Sequence, residues 1–262
     1  MSLSIIILNY KTKNLVKYCI KGIKLVGLNL DYEIIVIDNA SQDGTPEMIR
    51  KEFPEVKLIE VEKNRGYTGG NNLGLKRTKG KYILILNPDI VVLEGAIEKM
   101  YEFMKNHPKI GLLGPKLINP DKSLQETCYR FPKFITPLYR RTFLGRFKFA
   151  KKHLDHFLMK DYDHKKARKV DWIQGSCLMA RNEAVKEVGF FDERFFAYFE
   201  DVDWCRRFSE KNWEVWYLPE VELIHYHEQA SAGGLLDIFK KSTRIHIASW
   251  LKYFWKYRKH YD

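Results

Sequence analysis

Cysteine is scarce in this sequence, with only four in 262 residues, and the four are widely separated. No two of them form a C-x-x-C pair, so the spacing predicts neither a zinc knuckle nor a disulfide framework. A chain of this length buries a sizeable core without such cross-links. We therefore expect Cys19, Cys128, Cys177 and Cys205 to be reduced and mostly buried thiols of a cytoplasmic protein.

Long apolar runs are also lacking. The longest candidates, Ile34–Ile37 and Ile83–Leu86, have the length of a strand, whereas a membrane span needs ~20 apolar residues. The first apolar run, Ser4–Leu8, is preceded by neither a basic leader nor a cleavage site, so no signal peptide is predicted. These features favour a soluble or peripheral protein.

Acidic residues are the minority, since 45 Lys and Arg face 33 Asp and Glu and give a net charge of +12. The excess is concentrated in residues 129–152, which contain no acid, and in residues 239–262, where Asp262 is the single acid. Such a balance favours nucleic acid, an acidic lipid surface or phosphorylated substrates as partners. The sequence shows no RRM signature, zinc finger or basic zipper, so nucleic acid is the weaker alternative. The two basic segments are also rich in aromatic residues, which suggests contact with an anionic membrane face or, alternatively, a solvated basic surface beside a packed helix.

The first half of the chain alternates apolar, strand-length runs with segments of helical periodicity. Strands are predicted at Ser4–Leu8, Glu33–Ile37, Val56–Val61 and Tyr82–Leu86, helices at Lys13–Val26, Thr45–Phe53 and Leu93–Asn106, and a Gly/Asn-rich loop at Asn64–Gly74 with a short helix to Thr78. This order predicts a parallel sheet in a three-layer α/β fold.

The second half is less regular. Strands are predicted at Ile110–Gly114, Leu124–Tyr129, Trp172–Ala180, Trp213–Leu218 and Val221–His225, and helices at Glu183–Val188, Phe199–Glu210 and Leu235–Tyr257, the last long and amphipathic. Residues 130–169 are basic and aromatic with poor periodicity, which indicates a mobile loop or small helices.

Polar residues follow the predicted strands at Asn9, Asp38, Asn64 and Asp89. Ligands bind at the carboxyl edge of such sheets, so these positions are the first sign of function. Asp89 is suited to hold Mg²⁺ or Mn²⁺ together with substrate phosphates, or alternatively caps a turn. Asp38 could accept a hydrogen bond from a pyrimidine base or a ribose hydroxyl.

The glycines of Asn64–Gly74 would let backbone N–H groups approach an anion closely, although the stretch lacks the P-loop lysine and could be a structural turn. The acids Glu200, Asp201 and Asp203 follow an aromatic run, and acids in apolar surroundings have raised pKa values and make candidate general bases. An exposed, acid-rich helix N-terminus is the alternative, and Asp203 could instead pair with Arg206 or Arg207. His225 and His227 end an apolar strand on one face, where either imidazole could ligate a metal.

Together these motifs resemble the family 2 glycosyltransferases of GT-A fold, within them the rhamnosyltransferase-like branch, over roughly residues 3–258. The resemblance depends on the order and spacing of Ile6–Tyr10, Val36–Ser41, Asn64–Gly74, Leu86–Asp89, Asp171–Gly175, Gly189–Glu193, Tyr198–Asp203 and Pro219–His225. It implies a single Rossmann-like three-layer α/β/α domain with a mainly parallel mixed sheet over residues 1–232. Its nucleotide-binding half would span about 1–115 and its acceptor-binding half about 116–232, followed by a C-terminal amphipathic helical tail at 233–262.

The resemblance also implies roles for individual residues. Asp201, with Glu200, would act as the catalytic base, and Asp89 and His225 would hold Mg²⁺ or Mn²⁺, with His227 as the fallback ligand. Asn87 stands where the family has the first Asp of its D-x-D motif, so Asp89 would carry metal binding alone. Trp172, Gln174 and Gly175 would contact the acceptor or donor sugar. The nucleotide-binding set would be Asn9, Tyr10, Asp38, Asn39, Asn64, Gly66, Gly69, Gly70, Asn71 and Asn87.

The activity so implied is inverting transfer of a sugar from a nucleotide diphosphate to a hydroxyl of a glycan or a polyprenyl-diphosphate-linked acceptor. Rhamnose from dTDP-rhamnose is the branch's usual donor, with UDP-hexoses open, and the oligomeric state is not defined. A glycoside hydrolase also uses paired carboxylates but needs neither a diphosphate loop nor an H-x-H strand. A non-catalytic nucleotide-sugar sensor would not need the acid pair.

Overall fold

The computed structural model describes residues 1–226 and 240–260, with the side chain of His260 left out of the description. The predicted fallback ligand His227, the domain boundary at residue 232 and the first turns of the helix predicted from Leu235 lie outside these residues.

The first half folds as the periodicity predicts. Apolar residues fill both faces of its strands, which suits strands covered by helices on either side. The elements are β1 (Leu3–Asn9), α1 (Lys13–Leu25), β2 (Tyr32–Asp38), α2 (Thr45–Glu52), β3 (Lys57–Glu60), α3 (Gly66–Leu75), β4 (Tyr82–Leu86), β5 (Ile90–Val91) and α4 (Ala96–Asn106).

The second half begins with a strand and continues with short helices and short strands. The elements are β6 (Ile110–Ile118), β7 (Cys128–Tyr129), α5 (Thr136–Arg141), a 3-10 helix (Phe143–Arg146), α6 (Lys148–Phe157), β8 (Arg168–Lys169), β9 (Trp172–Ile173), β10 (Cys177–Arg181), α7 (Asn182–Val188), α8 (Glu200–Glu210), β11 (Glu214–His225), α9 (Lys241–Lys256) and a 3-10 turn (Arg258–His260). The basic stretch 130–169 is therefore mainly small helices.

One mixed sheet of nine strands spans the molecule in the order β3-β2-β1-β4-β10-β6-β11-β5, with β8 paired to β11. The strands β1 to β4, β6 and β11 run parallel, whereas β10 is antiparallel to both of its neighbours. A separate two-stranded sheet joins β7 and β9. The mixed α/β class with a mostly parallel sheet is confirmed, and the predicted boundary between the halves, near residue 115, falls inside β6.

Helices cover both faces of the sheet, because alternate residues along each strand point to opposite sides. Ile5 and Ile7 of β1 pack in a core with α1, α2 and α4. Ile6 packs in the opposite core, which includes residues of α3, α8 and α9. The three layers predicted from the sequence are therefore present.

Five predicted elements are corrected. The Gly/Asn-rich stretch is helical from Gly66, and the strand predicted over Trp172–Ala180 is broken between β9 and β10. The strand predicted at Leu124–Tyr129 shortens to the two residues of β7. The two strands predicted at the end are one, β11, whose pairing with β6 has register shifts of the kind a bulge produces.

The C-terminal helix α9 packs on the domain through its aromatic side chains. Trp250 and Phe254 are buried, whereas Trp255 is 71% exposed. Among residues 1–226 and 240–260, no helix is both long enough and apolar enough to cross a membrane.

Candidate active site

The carboxyl ends of the parallel strands place the polar residues predicted for the site on one edge of the sheet. β1 ends at Asn9, β2 at Asp38 and β11 at His225, while Asn87 follows β4. Because β10 is antiparallel, its beginning lies at the same edge, and Asn87 N donates to Ser176 O across 2.8 Å.

Asp89 and His225 meet at this edge because β5 pairs with the end of β11, with Ile90 opposite His225. Tyr226 N donates to Asp89 O at 2.9 Å, which fixes the two backbones. The imidazole Nε2 of His225 lies 3.4 Å from Asp89 Oδ1, with the histidine side chain 1% and the aspartate 22% exposed. The structure thus brings together the two residues predicted as metal ligands.

Gln125 holds the His225 ring. Its Nε2 donates to His225 O at 2.9 Å and to Asn119 Oδ1 at 2.6 Å, so the amide must turn Oε1 toward the ring. Oε1 lies 2.9 Å from His225 Nδ1, which must therefore carry the proton. In the neutral ring, the Nε2 electron pair then faces the Asp89 carboxylate, as a metal-ligating histidine does.

The arrangement fits a divalent cation that is completed by substrate. Asp89 Oδ1 is buried and accepts no hydrogen bond within the described part of the chain. Two electron pairs facing each other repel unless a proton or a cation lies between them. Within residues 1–226 and 240–260, no group of three or more His, Cys, Asp or Glu could hold a metal, so phosphates and water would supply the remaining ligands.

Asp201 lies in the first turn of α8. Its Oδ2 accepts from Gly175 N at 3.0 Å and its Oδ1 from Val202 N at 2.8 Å. Burial raises the pKa of this carboxyl to about 6, although the two backbone N–H groups act in the opposite direction. Asp201 is therefore a base that is largely ionised at neutral pH yet able to take a proton.

Glu200 is more deeply buried, with 7% of its surface exposed, and its Oε2 has no hydrogen-bond partner among the described residues. Burial and the neighbouring Asp201 charge raise its pKa well above the ordinary glutamate value. Because like charges this close do not both ionise, Glu200 is the protonated member of the pair.

Asp203 faces away from this pair and is fully buried. It accepts hydrogen bonds from Arg207 Nε at 2.8 Å, from Tyr257 Oη at 2.9 Å and from Lys256 Nζ. The ion pair with Arg207, one of two alternatives left by the sequence, is thus present, and Asp203 ties α8 to the end of α9.

The backbone just before the acids is unusual. Tyr198 and Phe199 both have positive φ, at 66° and 65°. Bulky residues rarely adopt this left-handed conformation, and it concentrates at functional sites. Here the sharp turn starts α8 immediately after Phe199, so that Glu200 and Asp201 stand at the start of the helix.

A cavity of about 1240 Å³ opens beside these residues. Asn87, His225, Glu200 and Asp201 line it, so one candidate metal ligand and the candidate base share one space. The second candidate ligand, Asp89, lies against His225. Its size exceeds the ~300–1,000 Å³ typical of a site for one small ligand.

All three residues predicted to contact sugar also line the cavity. Trp172 stacks on Tyr129 with ring centroids 4.3 Å apart, and its Nε1 donates to Arg130 O at 2.9 Å. Gln174 also lines the cavity, and its backbone is fixed by a hydrogen bond of 2.8 Å from Gln174 N to Thr127 O. Gly175 O accepts from Tyr67 Oη at 2.6 Å, so Tyr67 joins α3 to the loop that holds Asp201.

Apart from Asn87, the residues predicted to bind the nucleotide lie outside this cavity. Asn9 is fully buried and its Nδ2 donates to Asp38 Oδ1 at 2.7 Å, while its Oδ1 accepts from Thr12. Asn9 therefore orients Asp38, whose other oxygen accepts from Ser41 N at 3.2 Å. Tyr10 is 45% exposed at the same tip.

The Gly/Asn stretch packs rather than forming an open loop. Gly66 has φ +73°, and a Cβ there would meet Phe196 O at 2.2 Å. A Cβ on Gly70 would meet Leu8 Cδ1 at 2.4 Å, so α3 lies directly against β1. The remaining residues of the predicted nucleotide-binding set also have partners within the fold. Gly69 is buried beside Arg65. Asn71 Nδ2 donates to Tyr67 O, and Asn39 Nδ2 donates to Asn64 Oδ1.

Sequence reasoning missed Gln125, Tyr67 and the cavity arginines Arg140, Arg141 and Arg146. Gln125 has no motif of its own, and its role depends on a contact with His225 across the fold. The arginines were visible as part of the acid-free segment, but nothing in their spacing related them to Asp201.

A mostly parallel α/β sheet has a carboxylate and a histidine at its carboxyl edge, beside a cavity lined by an acid pair. This fold is that of the glycosyltransferases. Residues 4–189 match the profile of Glycosyl transferase family 2, and the chain belongs to that family.

The chain is similar to curated rhamnosyltransferases. It is 29% identical over 238 residues to N-acetylglucosaminyl-diphospho-decaprenol L-rhamnosyltransferase of Mycobacterium tuberculosis, covering 85% of this chain and 76% of the relative. It is 26% identical over 199 residues to the rhamnosyltransferase WbbL of Escherichia coli, covering 72% and 69%. It is also 26% identical to the low-salt glycan biosynthesis hexosyltransferase Agl10 of Haloferax volcanii, covering 85% and 66%.

Two solved structures share the fold. A mannosyltransferase of Pyrobaculum calidifontis, solved with GDP-Man and Mn²⁺, superposes with a TM-score of 0.60 at 16% identity, covering 88% of this chain. The 1–349 part of TarS from S. aureus, solved with UDP, gives a TM-score of 0.57 at 16% identity, covering 86%. This chain spans 58% and 60% of those two chains.

Proposed function

We propose that the protein is a metal-dependent, inverting glycosyltransferase that moves a sugar from a nucleotide diphosphate to a hydroxyl of a glycan or lipid-linked acceptor in cell-surface polysaccharide synthesis. One observation carries this proposal: His225, whose ring lies 3.4 Å from Asp89, and the candidate base Asp201 line a single cavity. A glycosyl transfer needs a group that holds the diphosphate and a base for the acceptor, and the proposal assigns these roles to the Asp89–His225 pair and to Asp201.

Asp201 takes the proton from the acceptor hydroxyl as that hydroxyl attacks the anomeric carbon, which contributes on the order of 10²–10⁴-fold. Gly175 N and Val202 N hold its carboxylate in place. Asp89 and His225 would hold Mg²⁺ or Mn²⁺, which when bound neutralises charge on the departing diphosphate. A single displacement with one base inverts the anomeric centre, and the protonated Glu200 adds no second charge.

Rhamnose from dTDP-rhamnose is the favoured donor, with a UDP-hexose second. The similarity to two rhamnosyltransferases supports the first and that to the Haloferax hexosyltransferase the second. Asp38, held by Asn9, would accept from the base or ribose, with Tyr10, Asn39 and the start of α3 around it. The proposed unit is the domain of residues 1–232, with residues 233–262 as its tail.

The acceptor is proposed to be linked to a polyprenyl diphosphate, as the name of the mycobacterial relative describes for that enzyme. The protein would then work in the cytoplasm at the inner face of the membrane, with the basic segments 129–152 and 239–262 near anionic lipid. Flotation with acidic liposomes at low salt is the expected result, and no flotation would argue against membrane contact.

A thermal-shift panel of nucleotide sugars, with and without Mn²⁺, followed by an assay for nucleotide release, tests the function. We expect dTDP-rhamnose to raise the melting temperature only when Mn²⁺ is present. Stabilisation by none of the nucleotide sugars, or release undiminished in EDTA, would contradict the proposal.

A further inference from the structure

Three phenylalanines form an exposed ridge beside the cavity. Phe143, Phe147 and Phe149 are 69%, 48% and 62% exposed. The ring centroids of Phe143 and Phe147 are 6.4 Å apart and those of Phe147 and Phe149 are 5.8 Å apart, so the rings form one continuous surface. We call these three residues the aromatic ridge. Contiguous apolar surface that the fold leaves in water marks a binding site for an apolar partner.

An uncompensated positive charge lies where the ridge meets the cavity. Arg140 and Arg146, here called the arginine pair, line the cavity together with Phe143 and Asp201. Within residues 1–226 and 240–260, neither arginine forms a salt bridge with a carboxylate, and residues 127–154 contain no acid. The Arg140 guanidinium lies over the rings of Tyr129 and Phe157, at 5.8 and 5.6 Å, which orients its charge without neutralising it.

The histidine of the cavity wall adds no charge of its own. His246 of α9 lines the same cavity against Tyr198 and Phe199. Burial, with the charges of Arg141 and Arg140, lowers the pKa of His246 to about 3, so its imidazole is neutral at physiological pH. The acids of the lining are Glu126 and the acid pair of α8, so the arginines supply the positive charge that favours an anion.

We propose that the arginine pair and the aromatic ridge together bind a lipid diphosphate, the acceptor of the transfer reaction. The diphosphate would lie on the guanidinium groups, the first isoprenoid units would lie on the ridge, and the linked sugar would reach Asp201. Phe143 belongs to both the cavity wall and the ridge, so one molecule with an anionic centre and an apolar chain contacts both. This assignment rests on the proposed function, because it gives the site's second substrate.

Farnesyl diphosphate is a soluble probe of this chemistry, and isothermal titration calorimetry on the full chain measures its binding. We expect Arg140→Gln with Arg146→Gln to weaken farnesyl diphosphate binding about tenfold or more, as the loss of charge-assisted hydrogen bonds does. Phe143→Ser with Phe147→Ser should weaken farnesyl diphosphate but not inorganic pyrophosphate. The matched controls are Lys151→Gln with Lys152→Gln, which remove equal charge outside the cavity, and Trp255→Ser, which removes an exposed ring on α9.

Either of the following kinds of result would overturn the assignment of the lipid diphosphate site. Equal weakening by the lysine control would mean general charge attraction, and equal weakening of dTDP binding in Mn²⁺ would assign the arginine pair to the donor. Equal binding to phosphatidylcholine vesicles with phosphatidylglycerol and to those with undecaprenyl diphosphate would mean a bulk membrane contact. If farnesyl diphosphate binding follows these expectations while no nucleotide sugar binds the wild-type protein, the lipid site stands and the transferase proposal fails.

Discussion

His225 and Asp89, which are far apart in the sequence, face each other with Nε2 3.4 Å from Oδ1, and Gln125 bonds the opposite ring nitrogen. The pairing of β5 with the end of β11 makes this contact part of the sheet. The sheet therefore holds the two side chains in fixed positions. A site for a cation that aligns a diphosphate needs such fixed ligands.

Replacing His225 by alanine should lower sugar transfer roughly 100-fold or more, because the cation that offsets leaving-group charge would lose a ligand. Mn²⁺ binding, followed by electron paramagnetic resonance, should weaken in parallel. His107→Ala changes an exposed histidine away from the cavity and should change neither. Normal Mn²⁺ affinity in His225→Ala would exclude this residue as a ligand.

Gln125→Ala should weaken Mn²⁺ binding by about 10–100-fold, the usual effect of removing the group that orients a metal-ligating histidine. Gln125→Glu keeps an acceptor for Nδ1–H but sets its second oxygen against His225 O and Asn119 Oδ1, so it should recover the affinity only in part. The nitrogen chemical shifts of His225 in the metal-free protein report the tautomer directly. An Nε2–H tautomer in the wild-type protein would refute the role of Gln125.

Asp201→Asn should reduce transfer by about 10²–10⁴-fold, whereas donor binding should survive. Glu200→Gln should retain activity within about tenfold, because Glu200 is already neutral. Since Asp201 must be ionised to act, the wild-type rate should fall as the pH decreases through about 6. Rate measurements across pH test this, and a fully active Asp201→Asn variant would contradict it.

The same substitution should stabilise the fold above that pH. The pKa of Asp201 is raised in the folded protein, so its contribution to stability is present at low pH and is lost as the pH rises through about 6. At mildly alkaline pH, Asp201→Asn should gain on the order of 1–3 kcal/mol in the free energy of unfolding. Urea denaturation at several pH values measures the difference, which should shrink toward acidic pH. A pH-independent difference would indicate another cause.

Asp203→Asn should cost about 3–5 kcal/mol in the free energy of unfolding, because Arg207 and Lys256 lose a fully buried partner. Asp161→Asn breaks the surface pair with Arg130 and should cost no more than about 1 kcal/mol. Chemical denaturation of both variants makes the comparison. Equal costs would show that Asp203 does not anchor α9.

The strand tips of the first half could be predicted because each strand is a short apolar run that stops at a polar residue. Asp89 and His225 could be paired only through the family resemblance, since their contact depends on β5 joining β11. Helix α3 was missed because its glycines read as a loop, whereas in the fold their small size lets the helix lie on β1. Such close packing between two elements cannot be predicted from the local sequence of either one.

The difference between the pKa values of Glu200 and Asp201 could not be predicted from the sequence for a similar reason. Both acids were recognised as candidates, but their different burial is set by the left-handed turn at Tyr198 and Phe199. Two successive bulky residues of this kind carry no turn signature, because Gly and Asn are the usual occupants of that conformation.

β10 is antiparallel to its neighbours, so its first residue, rather than its last, lies at the carboxyl edge of the parallel strands. Residues 174–176 therefore reach this edge on a chain segment separate from the loops after β1 and β2, and a hydrogen bond from Asn87 N to Ser176 O joins it to the loop after β4. In the proposed transferase, changes in residues 174–176 would therefore alter which hydroxyl is recognised, whereas the strand tips that would hold the nucleotide would be unchanged.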